Sequence, residues 1–149
     1  FKKIIESEEN RRKQELMVNN QKIIIPIRLR AYERLILFLE RISPENLIVR
    51  ITQPEMKSGE LQEALLSAIR TEFEHNLSQQ LYVSPQAWES VKNAKSNLVG
   101  IINSAMEDIS PASPGIILSR KILTKLVERE VNPVTPSIEF LKGEVSFLF

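Results

Sequence analysis

The side chains best suited to chemistry lie near the middle of the chain, at Glu72, His75 and Gln79. Their spacing would place them on one face of a helix. A carboxylate beside an imidazole could position a proton or begin a metal site. A metal site normally takes roughly three or four protein ligands, and His75 is the only histidine. We therefore interpret these residues as a polar helix face, and we expect no metal, cofactor or catalytic residue.

Further polar residues follow directly, at Ser78, Gln80 and Tyr82. Such residues commonly satisfy the end of a helix and its turn, but they could also form a binding patch. Arg28 is an additional candidate, because it is a charged residue inside an otherwise apolar helical arc. The possible interaction surface therefore consists of Arg28, Glu72, His75, Gln79, Gln80 and Tyr82.

The composition excludes several kinds of active site. The chain has no cysteine, which excludes disulfides, iron–sulfur clusters and thiol nucleophiles. Its four glycines are scattered, so no glycine-rich phosphate loop can form. No serine stands in a Gly-x-Ser-x-Gly setting, and a serine hydrolase would have to use His75 as its base. These exclusions favour a protein that is not an enzyme.

Charge is unevenly distributed along the 149 residues, whose net charge is +1. Residues 1–30 hold eight Lys or Arg and four Glu, a net charge of +4. The glutamates are interleaved with the basic residues, which is typical of a solvated helix face. We therefore expect no nucleic-acid partner.

The first three residues, Phe-Lys-Lys, fit the cytoplasmic end of a transmembrane helix, with an aromatic residue at the interface and positive charge inside. No stretch of this sequence reaches the roughly 18 apolar residues that a membrane span needs. The residues alone leave two alternatives open, a solvated basic end of the first helix or the end of a membrane anchor in a segment that is absent from this sequence.

The N-terminal forty residues have the pattern of a long helix. The apolar residues of segment 3–20 are only Ile4, Ile5, Leu16, Met17 and Val18, and the stretch between Ile5 and Leu16 is wholly polar. This segment should project, because it cannot bury a face. Residues 24–42 carry two adjacent apolar stripes, wide enough to pack on two neighbours. Pro26 predicts a kink or break near residues 22–26. We expect a charged helical stalk over residues 1–21 and a helical bundle over residues 22–149.

Serine and proline mark the remaining helices. Ser43-Pro44 ends the first helix. Residues 45–57 could form an extended connector or one more helical turn, and we interpret them as a loop packed on the core. A second helix starts at a capping Ser58 and ends near Leu81. Ser84-Pro85 starts a third helix, which Ser110-Pro111 ends, and Ser113-Pro114 starts a fourth. Ser137 caps a short final helix. The predicted fold is all-α, with four main helices, a short C-terminal helix and a partly projecting first helix.

Several segments resemble a bacterial family of unknown function over nearly the whole chain. The segments are residues 20–35 (NQKIIIPIRLRAYERL), 38–44 (FLERISP), 72–82 (EFEHNLSQQLY), 88–95 (WESVKNAK) and 138–142 (IEFLK). The resemblance implies an N-terminal transmembrane helix directly before this region. It implies no activity, substrate or cofactor. Gly143 departs from the helix-forming residue that the resemblance suggests.

Three functions follow as hypotheses. The first is a non-enzymatic interaction or scaffold module, anchored at the cytoplasmic face of the bacterial inner membrane and binding protein partners. The second is a homo-oligomeric structural protein that assembles through its N-terminal helix, with residues 22–42 pairing between subunits. The third is a small-ligand-binding or enzymatic domain that uses the face of Glu72, His75 and Gln79.

Overall fold

A computed structural model describes residues 1–130 and 132–149, and these residues form six α-helices and one 3-10 helix. The α-helices are α1 (Lys2–Ile42), α2 (Pro44–Ile51), α3 (Ser58–Glu74), α4 (Pro85–Met106), α5 (Gly115–Arg129) and α6 (Thr135–Leu148), and the 3-10 helix spans Leu77–Leu81. The described residues form no β-strand; Lys57 and Pro114 make an isolated antiparallel bridge. The predicted all-α bundle with a long first helix is confirmed.

Helix α1 is continuous over 41 residues but lies in two different surroundings. Every residue from 1 to 27 is exposed, and we call residues 2–27 the arm. At a rise of 1.5 Å per residue, the arm is about 39 Å long. We call residues 28–42 the body half, because its apolar side chains are buried: Ala31, Tyr32, Leu35, Phe38, Leu39 and Ile42.

Of the kink or break predicted near residues 22–26, the break is wrong, since Pro26 lies inside the continuous helix α1. A proline lacks the N–H that would bond the carbonyl of residue 22. Lys22 is exposed, so water can hydrogen-bond to this carbonyl and the helix continues. Part of the predicted core stripe is also in solvent, because Ile24, Ile25 and Ile27 are 47%, 38% and 42% exposed.

The core is built around α4, which contacts α3, α5 and α6, while α6 also packs on α1. Aromatic side chains from three of its helices lie against one another. The rings of Phe73 and Trp88 are stacked with centroids 5.4 Å apart. Phe38 lies against the same Phe73 ring at 6.0 Å. These contacts join α1, α3 and α4 into one body.

The loop predicted over residues 45–57 is corrected in its first half, which forms α2. Pro44 stands at the start of this helix and Glu45 lies in its first turn, a favourable place for a negative charge. Leu47 is fully buried, and Ile48 and Ile51 pack partly on the core. The segment thus packs on the core as expected, but as a helix of eight residues.

Of the four predicted serine caps, Ser84 is confirmed, since its hydroxyl accepts a hydrogen bond from the backbone N–H of Ala87 at 3.0 Å. The caps predicted at Ser58, Ser113 and Ser137 are wrong. Their hydroxyls instead join neighbouring elements: Ser58 Oγ lies 2.9 Å from Ser113 Oγ, and Ser90 Oγ donates to Ser137 Oγ. The predicted helix ends also move, to Glu74 for α3 and to Met106 for α4.

Candidate functional site

Arg28 and Tyr82, two of the six predicted site residues, meet where the arm joins the body. Arg28 Nε donates a hydrogen bond to the backbone carbonyl of Tyr82 at 3.0 Å. Its guanidinium carbon lies 5.4 Å from the centre of the Phe149 ring, so the ring quadrupole attracts the charge. Arg28 therefore ties α1 both to the turn after the 3-10 helix and to the end of α6.

One helical turn further along α1, Tyr32 belongs to a polar cluster that joins three elements. Its hydroxyl donates to Glu144 Oε2 at 2.6 Å and accepts a hydrogen bond from the backbone N–H of Ser84 at 3.2 Å. Ser84 Oγ also donates to both Glu144 oxygens, at 2.7 Å. The carboxylate of α6 is thus held by hydroxyls from α1 and from the start of α4.

Sequence reasoning missed Glu144 and Ser84 as parts of this cluster. Burial, and then the hydrogen bond to Glu144, raises the pKa of the Tyr32 hydroxyl above 10.0. A signal for the cluster was present, because a tyrosine on a core stripe needs a partner for its hydroxyl. The sequence does not say which partner, since Glu144 lies 112 residues away.

Glu72, a third predicted residue, is bound by two arginines. Arg41 Nε donates to both carboxylate oxygens at 2.9 and 3.0 Å, and Arg41 Nη2 donates to Oε1 at 2.6 Å. Arg50 Nη1 donates to the same Oε1 at 3.0 Å, and Arg50 Nη2 donates to the Arg41 carbonyl. The carboxylate therefore joins α1, α2 and α3.

This environment fixes the charge state of Glu72. Burial alone would raise its pKa, but the hydrogen bonds and positive charge of Arg41, and then of Arg50, outweigh it and hold the pKa below 4.5. The same pairing raises the pKa of Arg41. Glu72 is therefore ionised and already accepts four hydrogen bonds from the two arginines, which makes it a poor proton carrier.

The predicted common face of Glu72, His75 and Gln79 does not form, because α3 ends at Glu74. Asn76 ends it: its Nδ2 donates to the Glu72 carbonyl at 2.8 Å and its backbone N–H donates to Phe73. Such a side chain competes with the helix for its last carbonyls. His75 is consequently exposed, whereas Gln79 is buried in the 3-10 helix.

Four of the six predicted residues thus fall into two places, and Gln79 and Gln80 lie apart from both in the 3-10 helix. Glu72 and His75 line an open groove of about 470 Å³ between α1 and α3, beside Arg41. Arg28 and Tyr82 lie at the arm junction. The side chain of Gln80 makes a local hydrogen bond, in which its Nε2 donates to the Leu77 carbonyl at 2.9 Å.

Residues 1–130 and 132–149 contain no group of three or more acidic, histidine or cysteine side chains that could hold a metal ion. In the same residues, no helix combines the length and the apolar character needed to cross a bilayer.

A groove of about 660 Å³ lies between α2 and the start of α5, lined chiefly by apolar residues including Ile48, Val49, Met56 and Ile116. Glycine at position 115 lets the start of α5 lie close to the backbone of Met56, because a Cβ at Gly115 would lie 2.6 Å from the Met56 carbonyl oxygen. Ser119 lines this groove and is 9% exposed. Within the described residues its Oγ has no hydrogen-bond partner, so one buried donor is unused there.

The arm is exposed along its whole length. Arg11 and Glu15 form an exposed ion pair one helical turn apart, at 3.8 Å. Its large apolar side chains are all in solvent, including Leu16 and Ile23 at 62% and 64% exposure. They are Ile4, Ile5, Leu16, Met17, Val18, Ile23, Ile24, Ile25 and Ile27.

The comparison with protein families covers the arm and the body together. A model described as a family of unknown function (DUF7935) matches residues 1–148. The chain belongs to this family. No curated protein and no solved structure matches the chain. The match confirms the family of unknown function that the resemblance suggests, and it includes residues 2–27 within the family's domain.

Proposed function

We propose that this domain is a non-enzymatic interaction module and that the arm is the element that binds a protein partner. The observation that carries the proposal is the exposure of every arm residue in a continuous helix. Large apolar side chains in solvent on such an element are typical of interaction sites. The body half of α1 fixes the arm to a stable core.

The energetics of isolated helices support the same conclusion. Helix formation has an unfavourable nucleus, and most helices in proteins are stabilised by packing of an apolar face. The core nucleates the arm at Arg28 but gives residues 2–27 no surface to pack on. A partner that covers the apolar side chains would stabilise the arm and gain binding energy from the same burial.

The charges of the arm indicate what kind of partner fits. Glu8 and Glu9 are followed by Arg11, Arg12 and Lys13, so both signs are present within two helical turns. The four glutamates of the arm, interleaved with its six basic residues, weaken its attraction for a polyanion. A partner helix with its own apolar stripe and charges of both signs fits better. Its apolar side chains would pack on those of the arm, and its acidic and basic side chains would pair with the opposite charges of the arm.

Location at the cytoplasmic face of a bacterial inner membrane is part of the proposal. Its support is the net charge of +4 over residues 1–30, since positive charge is favoured on the cytoplasmic side of a membrane segment. Fractionation of the natural full-length protein tests it. Recovery in the soluble fraction after lysis would show that the anchored version is wrong.

The test of the interaction is a tagged pull-down of the natural full-length protein from detergent-solubilised host membranes, followed by mass spectrometry. The arm variant carries Leu16→Asp and Ile23→Asp, and the control carries Val127→Asp, at a residue of α5 that is 77% exposed. We expect a stoichiometric partner, a second copy included, that is lost with the arm variant and kept with the control. Equal recovery with both variants would show that the arm is not the binding element.

Small-ligand binding is a second candidate, favoured by the unused Ser119 hydroxyl in the groove beside α2 rather than by the face of Glu72, His75 and Gln79. An apolar molecule with one hydrogen-bond acceptor fits this chemistry. A ligand that binds only the native state raises the melting temperature. A panel of apolar carboxylic acids and alcohols should therefore shift the melting temperature of the natural protein and not that of Ser119→Ala. An equal shift in both, or no shift in either, would remove the candidate.

A further inference from the structure

One face of the arm carries four side chains in a self-complementary order. Ile5, Glu9, Arg12 and Leu16 follow one another at intervals of four, three and four residues. At 100° per residue they lie within a sector of about 60°. All four are exposed. Read from either end, the face runs from an apolar residue, through two opposite charges, to an apolar residue.

We propose that two copies of this chain pair through this face in antiparallel orientation, crossing midway between Asn10 and Arg11. The inference rests on the proposed function, since it names the partner of the arm. In this arrangement Ile5 of one copy faces Leu16 of the other, and Glu9 faces Arg12. Each contact occurs twice because the two copies are related by a two-fold axis.

The charges select the orientation. A parallel pair in register would place Glu9 against Glu9 and Arg12 against Arg12, and like charges at facing positions disfavour such a pair. The antiparallel pair replaces both repulsions with attractions. Glu8, which precedes Glu9, adds a second carboxylate on the flank where Arg12 of the other copy lies.

The dimensions of the arm leave room for both bodies. Arg28, where the body begins, lies about 26 Å along the helix from the crossing point. The two bodies therefore stand about 52 Å apart at opposite ends of the paired arms. This pairing uses side chains that the core does not use, whereas the stripe at residues 28–42 is buried in the chain's own core.

The absence of cysteine from the sequence allows a direct test of the geometry. Ile5→Cys and Leu16→Cys are made as two separate full-length proteins of different tag size, mixed and oxidised. A disulfide needs Cα atoms within about 7 Å. We expect the mixed 5–16 disulfide and little of either homodimer, because like positions lie about 16 Å apart in the antiparallel pair. A homodimer of Ile5→Cys without the mixed product would overturn the antiparallel pairing.

Charge reversal tests the same pairing by affinity, measured by sedimentation equilibrium. Glu9→Arg and Arg12→Glu alone should each weaken dimerisation about tenfold, and the double variant should restore it, because it recreates the order of charges. Lys3→Glu, on the opposite side of the helix, is the control with the same charge change as Arg12→Glu and should leave the affinity unchanged. Failure of the double variant to restore dimerisation would contradict the pairing.

The outcomes separate this inference from the proposed function. A monomer at high micromolar concentration, together with arm-dependent capture of a different protein, would overturn the pairing and leave the interaction module standing. A monomer whose arm variant captures the same proteins as the natural chain would overturn both.

Discussion

The two halves of α1 have the same backbone conformation for different reasons. In the body half, Tyr32, Leu35 and Phe38 are buried, and their packing holds the helix. In the arm, Leu16 and Ile23 are more than 60% exposed. There the helix depends on local propensity and on its attachment to the core, since no apolar face is covered.

This difference shows that secondary structure alone does not reveal which part of a helix stabilises a domain. The body half contributes buried area, two polar clusters and contacts to α2, α3, α4 and α6. The arm contributes an exposed surface. A change that is severe in one half should therefore be mild in the other, which makes matched substitutions informative.

The largest contrast is expected from proline. Glu33→Pro, at an exposed site of the body half, should lower the free energy of unfolding by about 3 kcal/mol or more, because the lost hydrogen bond and the ring clash disturb a packed helix. Asn20→Pro should change it by less than about 0.5 kcal/mol, because the arm can bend without exposing core. Urea unfolding of dilute protein, followed by the fluorescence of Trp88, measures both. Similar losses in the two variants would mean that the arm is part of the cooperative core.

A smaller effect is expected at the polar cluster of the body half. Tyr32→Phe removes the hydroxyl that donates to Glu144 and accepts from Ser84, so it should cost about 1–3 kcal/mol. Tyr82→Phe is the control, at a side chain that is 40% exposed, and should be neutral within about 0.5 kcal/mol. Chemical denaturation of the two variants compares them. Equal stability of Tyr32→Phe and the natural protein would show that the hydrogen bonds of the cluster do not stabilise the packing of α1.

The smallest effect concerns pH. Because Arg41 and Arg50 hold the pKa of Glu72 below its usual value of 4.5, the folded state binds this proton less readily than the unfolded state. The stabilisation is therefore complete above about pH 4.5 and is lost as the pH falls through the folded pKa. Since Arg41 is half exposed, Glu72→Gln should cost only about 1 kcal/mol at pH 7.

The check is the difference in unfolding free energy between the natural protein and Glu72→Gln from pH 7 to pH 3. This difference should shrink in acid. Glu63→Gln, at an exposed glutamate of the same helix, serves as the control and should show no such trend. A difference that stays constant with pH would mean that the ion pair does not stabilise the fold.

The fold could be predicted where local signals decide it. Ser84-Pro85 starts α4 because the serine hydroxyl and the proline ring act within one turn. The conformation of α2 was missed because eight residues give too short a pattern to separate a helix from a packed loop. The continuity through Pro26 was missed because its cost depends on solvent access to one carbonyl, which the sequence does not state.

The candidate site was predicted as one surface of six residues, and the sequence did not give the contacts that each of them makes. Arg28 was singled out because a charge in an apolar arc is unusual, but its contact with Tyr82 joins residues 54 positions apart. Glu72 was predicted as a carboxylate that could position a proton or bind a metal. The two arginines that bind it lie on α1 and α2, far from it in the sequence. Pairings of this kind depend on tertiary packing, so residue types and spacing alone could not supply them.

Because α1 is one continuous helix, the rotation of the arm about the helix axis is fixed relative to the core. One residue inserted at position 20 would turn the arm's face by about 100° and move it outward by about 1.5 Å. Seven inserted residues would return the face to within about 20° of its direction and only lengthen the arm, by about 10.5 Å. The core therefore sets the direction in which the arm faces, while whole heptads set its reach.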